Sequence, residues 1–205
     1  ALQYERLMSG VCLHCLSPRR SDHPCEYCAN GGMQHLRAAY APFHYHGVVQ
    51  QLVVKLKFGA VDDAAHPLAN AMLDSIFGIP FDAMVPVPLH AKRLSERGIN
   101  QASLLCDILS TYTSIPVLHA LFRTRNTKRQ SSMFSLSKRS SNVDGAFRLA
   151  KEVKGLHLLL VDDVRTSGAT ARACAKALCD GGAAEVSLLT AAVAPPRKHK
   201  GVLHV

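Results

Sequence analysis

The sequence predicts an α/β protein in which helices flank a parallel β-sheet, preceded by a small four-cysteine metal module. Three observations carry this. Strand-like and helix-like segments alternate from about residue 83 onward. LHLLLV (156–161) is a continuous apolar run, as a strand buried on both faces requires. Four cysteines stand in the order C-x2-C-x9-C-x2-C from Cys12 to Cys28. With 205 residues, 48% of them apolar, the chain has material for one substantial core and a small appendage. The expected division is a zinc-binding module over 1–35 and the α/β domain over 36–205.

Each C-x2-C places two sulfurs at one turn, and two such knuckles close a tetrahedron of Cys12, Cys15, Cys25 and Cys28 around structural Zn²⁺. Disulfides are the alternative, and three further cysteines in a chain without secretory features argue against them. His14 and His23 are potential replacements, but four sulfurs already suffice. So few apolar residues lie between Cys12 and Cys28 that the segment needs the metal to fold. Cys106, Cys174 and Cys179 fall in helical patterns and are expected to be inert core residues.

After the module, HGVVQQLVVKLKFGA (46–60) sets Val49, Leu52, Val53 and Leu56 at helical spacing, with Gly59 as the stop. HPLANAMLDSIFG (66–78) predicts a second helix, opening near Pro67 and ending at Gly78. AMVPVPL (83–89) reads as extended, its prolines marking a strand end or edge. INQASLLCDILSTY is a helix by its stripe of Ala102, Leu105, Cys106 and Leu109, and IPVLHALF a strand. The polar tract 123–142 has no steady period, and a tract of that length inside a domain serves function or moves. Beyond LHLLLV, ATARACAKALCDGG predicts a helix stopped by Gly181, and AEVSLLTAAVA a last strand.

The formal charge of +9 is unevenly spread: residues 90–139 hold nine Lys and Arg against two acids. Such a band points to a polyanionic partner, the alternative being a solvated basic face. No stretch reaches the roughly 18 apolar residues of a membrane span, and ALQYERLMSG has no basic-then-apolar signal pattern. A soluble, cytoplasmic protein is expected.

The sharpest feature is LLLVDDVRTSGAT (158–170). In a parallel sheet, ligands settle at the carboxyl ends of the strands, where Asp162 and Asp163 are expected to emerge as the sheet stops. The following turn suits a phosphate: Gly168 lets backbone approach, the N–H groups of 166–170 face outward, and the helix start favours an anion. Thr166, Ser167 and Thr170 add hydroxyl donors. Beside a phosphate the paired carboxylates would accept hydrogen bonds from a sugar diol or meet Mg²⁺ through water. The plain alternative is an ordinary strand-to-helix turn with Asp at the cap. The chain has no G-x-x-x-x-G-K-[ST], and no G-x-G-x-x-G follows a strand.

VDDVRTSGAT resembles the phosphoribosyl pyrophosphate signature of type I phosphoribosyltransferases. With YHGVVQQLVVKLKFG, VPVPLHAKRLSERGINQASLL, RTRNTKRQSSMFSLSKRSSNVDGAF and the cysteine knuckles, in this order, the chain resembles the ComF family of competence proteins from about Cys12 to Val193. The departures are Ile99 for the usual Phe, Ser167 for a common Thr, and Arg165 as a long cation. The resemblance implies a type I phosphoribosyltransferase-like sheet in which Asp162 and Asp163 hold the ribose hydroxyls. Arg165, Thr166, Ser167, Gly168, Ala169 and Thr170 would then cradle the 5-phosphate. His90, Lys92, Arg93 and Arg97 would grip pyrophosphate with Mg²⁺, and Arg123, Lys128, Arg129 and Arg139 would lie on a flexible loop closing over the substrate. It further implies a role in natural transformation, with single-stranded DNA and DNA-uptake or recombination proteins as partners. Aromatic platforms in the basic band are sparse (Tyr112, Phe122, Phe134), so a weak, salt-sensitive DNA binder is expected. The alternative is a working phosphoribosyltransferase of nucleotide metabolism. That enzyme needs a hood that reads the base, which only about the first eighty residues are left to supply.

Overall fold

A computed structural model describes residues 11–12, 14–16, 25–29, 31–58, 61–125 and 145–194. The expected stop Gly59, the histidine His23, and Lys128, Arg129 and Arg139 of the polar tract lie outside the described residues.

The sheet is parallel throughout. β6 (His157–Arg165) and β7 (Glu185–Val193) form its centre, buried nearly end to end as their apolar runs require. β3 (Ala83–Pro86) pairs with β6 on one side, while β1 (Ala39–Tyr40) and β2 (Phe43–His44) both pair with the far edge of β7. Pro42 lies between β1 and β2 and brings no N–H to the ladder, so this edge is broken in two.

One apolar core fills each face. On the first, α6 (Ala169–Asp180) packs with Leu158, Leu160, Leu188 and the residues of the cysteine module, Cys12, Cys15, Met33 and Leu36. On the second, α2 (Gly47–Phe58), α3 (Val61–Ile76) and α5 (Gln101–Thr113) cover Met84, Leu159, Val161 and Leu189. Two short helices complete the described set: α1 (Glu26–Ala29) in the cysteine module and α4 (Ala91–Arg97) after β3. Among the described residues no helix is long and apolar enough to cross a membrane.

Three expectations on local structure need correction. α3 starts at Val61 and runs through Pro67; Ala64 and Ala65, both fully buried, anchor the extra turn, so packing overrides the proline. IPVLHALF is not one strand. Val117 makes a single parallel bridge to Met84, and the chain then turns into β4 (Leu121–Arg123), which pairs antiparallel with β5 (Phe147–Leu149). Third, β6 does not stop at Val161 but continues through both aspartates to Arg165. β7 runs beside it and supplies ladder partners: Asp162 faces Thr190, Val164 faces Ala192 and Arg165 faces Val193. The sheet does stop at this level on the other side, where β3 ends with Pro86 opposite Val161.

Candidate sugar-phosphate site and cysteine cluster

The topology places a crevice at the two aspartates. β3 leads through α4 and α5 on one face and returns beyond its own outer edge, at Val117; β6 leads through α6 on the opposite face to β7. The connections diverge between β3 and β6, which is where open parallel sheets bind ligands. Asn100 braces the β3 side of the crevice: its Oδ1 caps α5 by accepting from Ala102 N at 3.1 Å, and its Nδ2 donates to Val87 O at 3.1 Å.

Adjacent strand residues point to opposite faces, and the two carboxylates have different partners. Asp163 reaches Lys57 in the last turn of α2, with Nζ 2.5 Å from Oδ2 and both side chains only 13% and 12% exposed. Asp162 accepts the Asp163 N–H at 2.9 Å. Burial and the neighbouring Asp163 push the Asp162 carboxyl up from 3.8 to about 7, against the pull of that N–H and of Lys57. Arg123 stands close enough to feel both Arg93 and Asp162: burial and Arg93 lower its guanidinium from the ordinary value, while Cys174 and Asp162 raise it. Asp162, Arg93 and Arg123 therefore form one electrostatic group.

The carboxyl of Asp162 supports a pH-dependent prediction. The folded state holds a proton that the unfolded chain gives up, so this group's contribution to stability falls as pH climbs from about 4 to about 7. The full interval corresponds to about 4 kcal/mol, and water reaching the half-buried carboxyl reduces it to roughly 2 kcal/mol. Asp162→Asn, which keeps the acceptor for the Asp163 N–H, should match the wild type near pH 3.5, below the unfolded carboxyl's ordinary value, and melt several degrees higher at pH 8. Equal melting differences at both pH values would show that the carboxyl titrates normally.

After β6, Thr166 and Ser167 lead to Gly168, whose φ of +71° is one that side-chain-bearing residues rarely adopt. Gly168, not an aspartate, caps α6, and it offers no side-chain cap; Ser167 Oγ lies 3.5 Å from Ala169 N, at the limit of a hydrogen bond. A pocket of about 30 Å³ opens here, bounded by Asp162, Arg165, Thr166, Gly168, Ala169 and Thr170 among others. Arg165 ends β6 and is 4% exposed, its guanidinium 5.1 Å above the Tyr27 ring. A cavity of about 530 Å³ lies instead at the opposite ends of the strands, near His157 and Glu185, away from the acids.

On the β3 side, His90 caps α4 through Nδ1, which accepts from Lys92 N at 3.2 Å. Lys92 is exposed and Arg93 half-buried. Arg97 turns toward the neighbouring helices: its Nη1 donates to Gln101 Oε1 at 3.0 Å and its guanidinium lies 5.3 Å over the Phe58 ring.

The four cysteines converge, with all sulfurs within 4.8 Å of one another. Cys12 and Cys28 are 3.9 Å apart, and Cys15 and Cys25 3.4 Å. A disulfide needs about 2.05 Å, whereas tetrahedral ligands 2.3 Å from Zn²⁺ lie about 3.8 Å apart. Burial opposes charge on Cys12, yet donors in the Cys15 and His14 backbone bring its thiol down to about 7; burial and the neighbouring sulfurs push Cys28 up. Four thiolates at this spacing need a cation, so the residues fit a metal ion. His14 is exposed and outside the cluster. Cys106 and Cys174 are fully buried, and burial raises both thiols.

Three residues of this region carry no assignment from sequence: Lys57, Tyr27 and Arg172. Lys57 left a signal, because it follows Val49 and Val53 at intervals of four and so falls on the buried stripe of α2, where a lysine needs an anion. Tyr27 meets the phosphate loop across 140 residues and Arg172 meets Tyr27 across 145, and no local pattern announces either contact, although Arg172 itself stands only five residues beyond Ser167.

No protein-family model matches the chain. It is 34% identical to the DNA utilization protein YhgH of Escherichia coli K12 over 196 residues, 87% of this chain and 82% of that protein. It is 28% identical to the competence protein ComFC of Bacillus subtilis over 159 residues, 76% of this chain and 64% of the relative. Against the Salmonella typhi YhgH the match covers 63% of that protein's length. Among solved structures, the glutamine phosphoribosylpyrophosphate amidotransferase from B. subtilis overlaps 60% of this chain and 25% of its own, at 21% identity and a TM-score of 0.41. The parallel sheet, its flanking helices and the N-terminal four-cysteine cluster are the elements expected from sequence. With identity of 34% sustained over 87% of its length, the chain belongs to the ComF family, beside YhgH and ComFC.

Proposed function

We propose that the protein is a cytoplasmic competence factor that handles incoming single-stranded DNA and binds phosphoribosyl pyrophosphate, or a related sugar phosphate, at the β3–β6 crevice. The observation that carries the ligand is the pairing of Asp162 and Asp163 at the switch point with a helix start capped only by Gly168. In this reading Asp162 accepts from the ribose diol, while Lys57 holds Asp163 in place. Thr166, Ser167, Gly168, Ala169 and Thr170 receive the 5-phosphate, with Arg165 backing the loop. Lys92 and Arg93 would meet the pyrophosphate end, with His90 shaping the start of α4 and Arg97 held aside by Gln101 and Phe58; Arg123, with Lys128, Arg129 and Arg139 of the same tract, would close over it. Mg²⁺ would meet the sugar and pyrophosphate oxygens near Asp162 and neutralise them. Zn²⁺ is the structural ion of Cys12, Cys15, Cys25 and Cys28.

The DNA role draws on the names of the relatives, on the basic band of residues 90–139, and on the exposure of Tyr112 and Phe122 within it, 61% and 45%. Stacking on two such rings and contact with a few phosphates would give weak, salt-sensitive binding.

One set of measurements tests both halves. Phosphoribosyl pyrophosphate with Mg²⁺ at about 100 times its Kd should raise the melting temperature by about 5 °C or more, and Asp162→Ala should abolish the rise. Affinity for a labelled single strand should fall about tenfold to a hundredfold between 50 and 200 mM salt. No melting shift would remove the sugar-phosphate reading, and salt-independent binding the DNA reading. Release of pyrophosphate in the presence of a base would instead identify a working transferase.

A further inference from the structure

We infer that Tyr27 and Arg172 are positioning residues of the phosphate loop, and that through Tyr27 the four-cysteine module sets that loop's affinity for a phosphate monoester. Tyr27 lies between Cys25 and Cys28, so the cluster fixes where its ring stands. Its hydroxyl donates to the Ser167 carbonyl at 3.0 Å. Arg172, one turn into α6, donates through Nη1 to the same carbonyl at 3.1 Å, to Tyr27 Oη at 3.2 Å and to Gly32 O at 3.3 Å. On its other side the Tyr27 ring carries the Arg165 guanidinium at 5.1 Å. A Cβ at position 168 would run into the Tyr27 hydroxyl, so the approach is as close as glycine permits.

The consequence follows from peptide geometry. In a trans peptide the carbonyl of one residue and the N–H of the next point in opposite directions. Donors that hold the Ser167 carbonyl toward the cysteine module therefore turn the Gly168 N–H away from it, toward the space beside the loop. If that peptide flipped, a carbonyl oxygen would face the incoming phosphate and repel it. Two adjoining donors on one carbonyl, one of them charged, oppose the flip. The loop is thus preorganised from behind by a module remote in sequence.

The inference rests on reading 166–170 as the phosphate site, and the test separates the two. Tyr27→Phe keeps the ring under Arg165 and removes only the hydroxyl. Amide hydrogen exchange at 166–170 should quicken about fivefold to tenfold, with 157–161 of β6 as protected as in the wild type, and affinity for ribose 5-phosphate should fall by a similar factor. Arg172→Gln should act in the same direction. Stripping the metal with a chelator should loosen the same loop in the wild type, with a smaller increment in Tyr27→Phe, since the two changes share one contact. Loop exchange unchanged in Tyr27→Phe, or quickened equally in β6, overturns the inference. If the wild type binds no ribose 5-phosphate, the ligand reading fails, and loop exchange alone decides whether Tyr27 positions the loop.

Discussion

Asp163→Ala should destabilise the fold by about 3 kcal/mol, lowering the melting temperature by roughly 6–10 °C. The substitution removes the anion from a pair in which both members are nearly buried, Lys57 at 13% and Asp163 at 12% exposure. Lys57 cannot withdraw easily, because it sits on the buried stripe of α2 between the core and the crevice. An ammonium left without its partner in such a place costs more than the pair contributed, since desolvation remains while the attraction is lost. The residual exposure puts the expected cost at the lower end of the range for buried pairs. Replacing both residues tests the cause: Lys57→Met with Asp163→Ala should recover most of the stability, as apolar replacements of buried pairs do. A single variant that melts like the wild type, or a double variant no better than the single, would mean that the ion pair does not bear on stability.

The parts legible in the sequence were those whose cause is local. LHLLLV and EVSLLTAAV declare buried strands because every residue must tolerate an apolar neighbour on both faces. TSGA declares a tight turn into a helix because small and hydroxylated residues have few other reasons to cluster there. Cys12, Cys15, Cys25 and Cys28 declare a cluster by spacing, and their sulfurs converge. What stayed hidden depends on tertiary neighbours. β6 extends to Arg165 because β7 runs beside it, a fact absent from residues 157–165 themselves. α3 survives Pro67 because Ala64 and Ala65 pack. Arg97 looked like one of four equivalent cations, but Gln101 and Phe58 hold it. The ion pair to Asp163 and the clamp on Ser167 each join segments about a hundred residues or more apart.

Replacement of Cys15 by serine should reduce the metal content from one zinc per chain to none and open the chain between residues 11 and 36. Cys15 is fully buried, and its sulfur lies 3.4 Å from that of Cys25. Serine offers a hydroxyl that stays protonated near neutral pH, a poor ligand where zinc takes thiolates. Local structure among the described residues of this segment is weak: the helix at Glu26–Ala29 is a single turn, and Leu16 and His35 adopt positive φ, which the local sequence does not favour. Apparent binding energies of about 10–16 kcal/mol for structural zinc in small modules exceed anything these few residues could supply by packing. Damage should spread unevenly, because Met33 and Leu36 share a core with Leu158 and Ala171, whereas Leu68, Met72 and Leu109 belong to the core on the other face of the sheet. Cys15→Ser should therefore bind an apolar dye and be cleaved by trypsin at Arg37, while β7 and α5 keep their slow-exchanging amides. Cleavage at Arg37 no faster than in the wild type, from a protein shown to be metal-free, would mean that packing against α6 alone folds the module and that the four sulfurs serve some purpose other than holding it together.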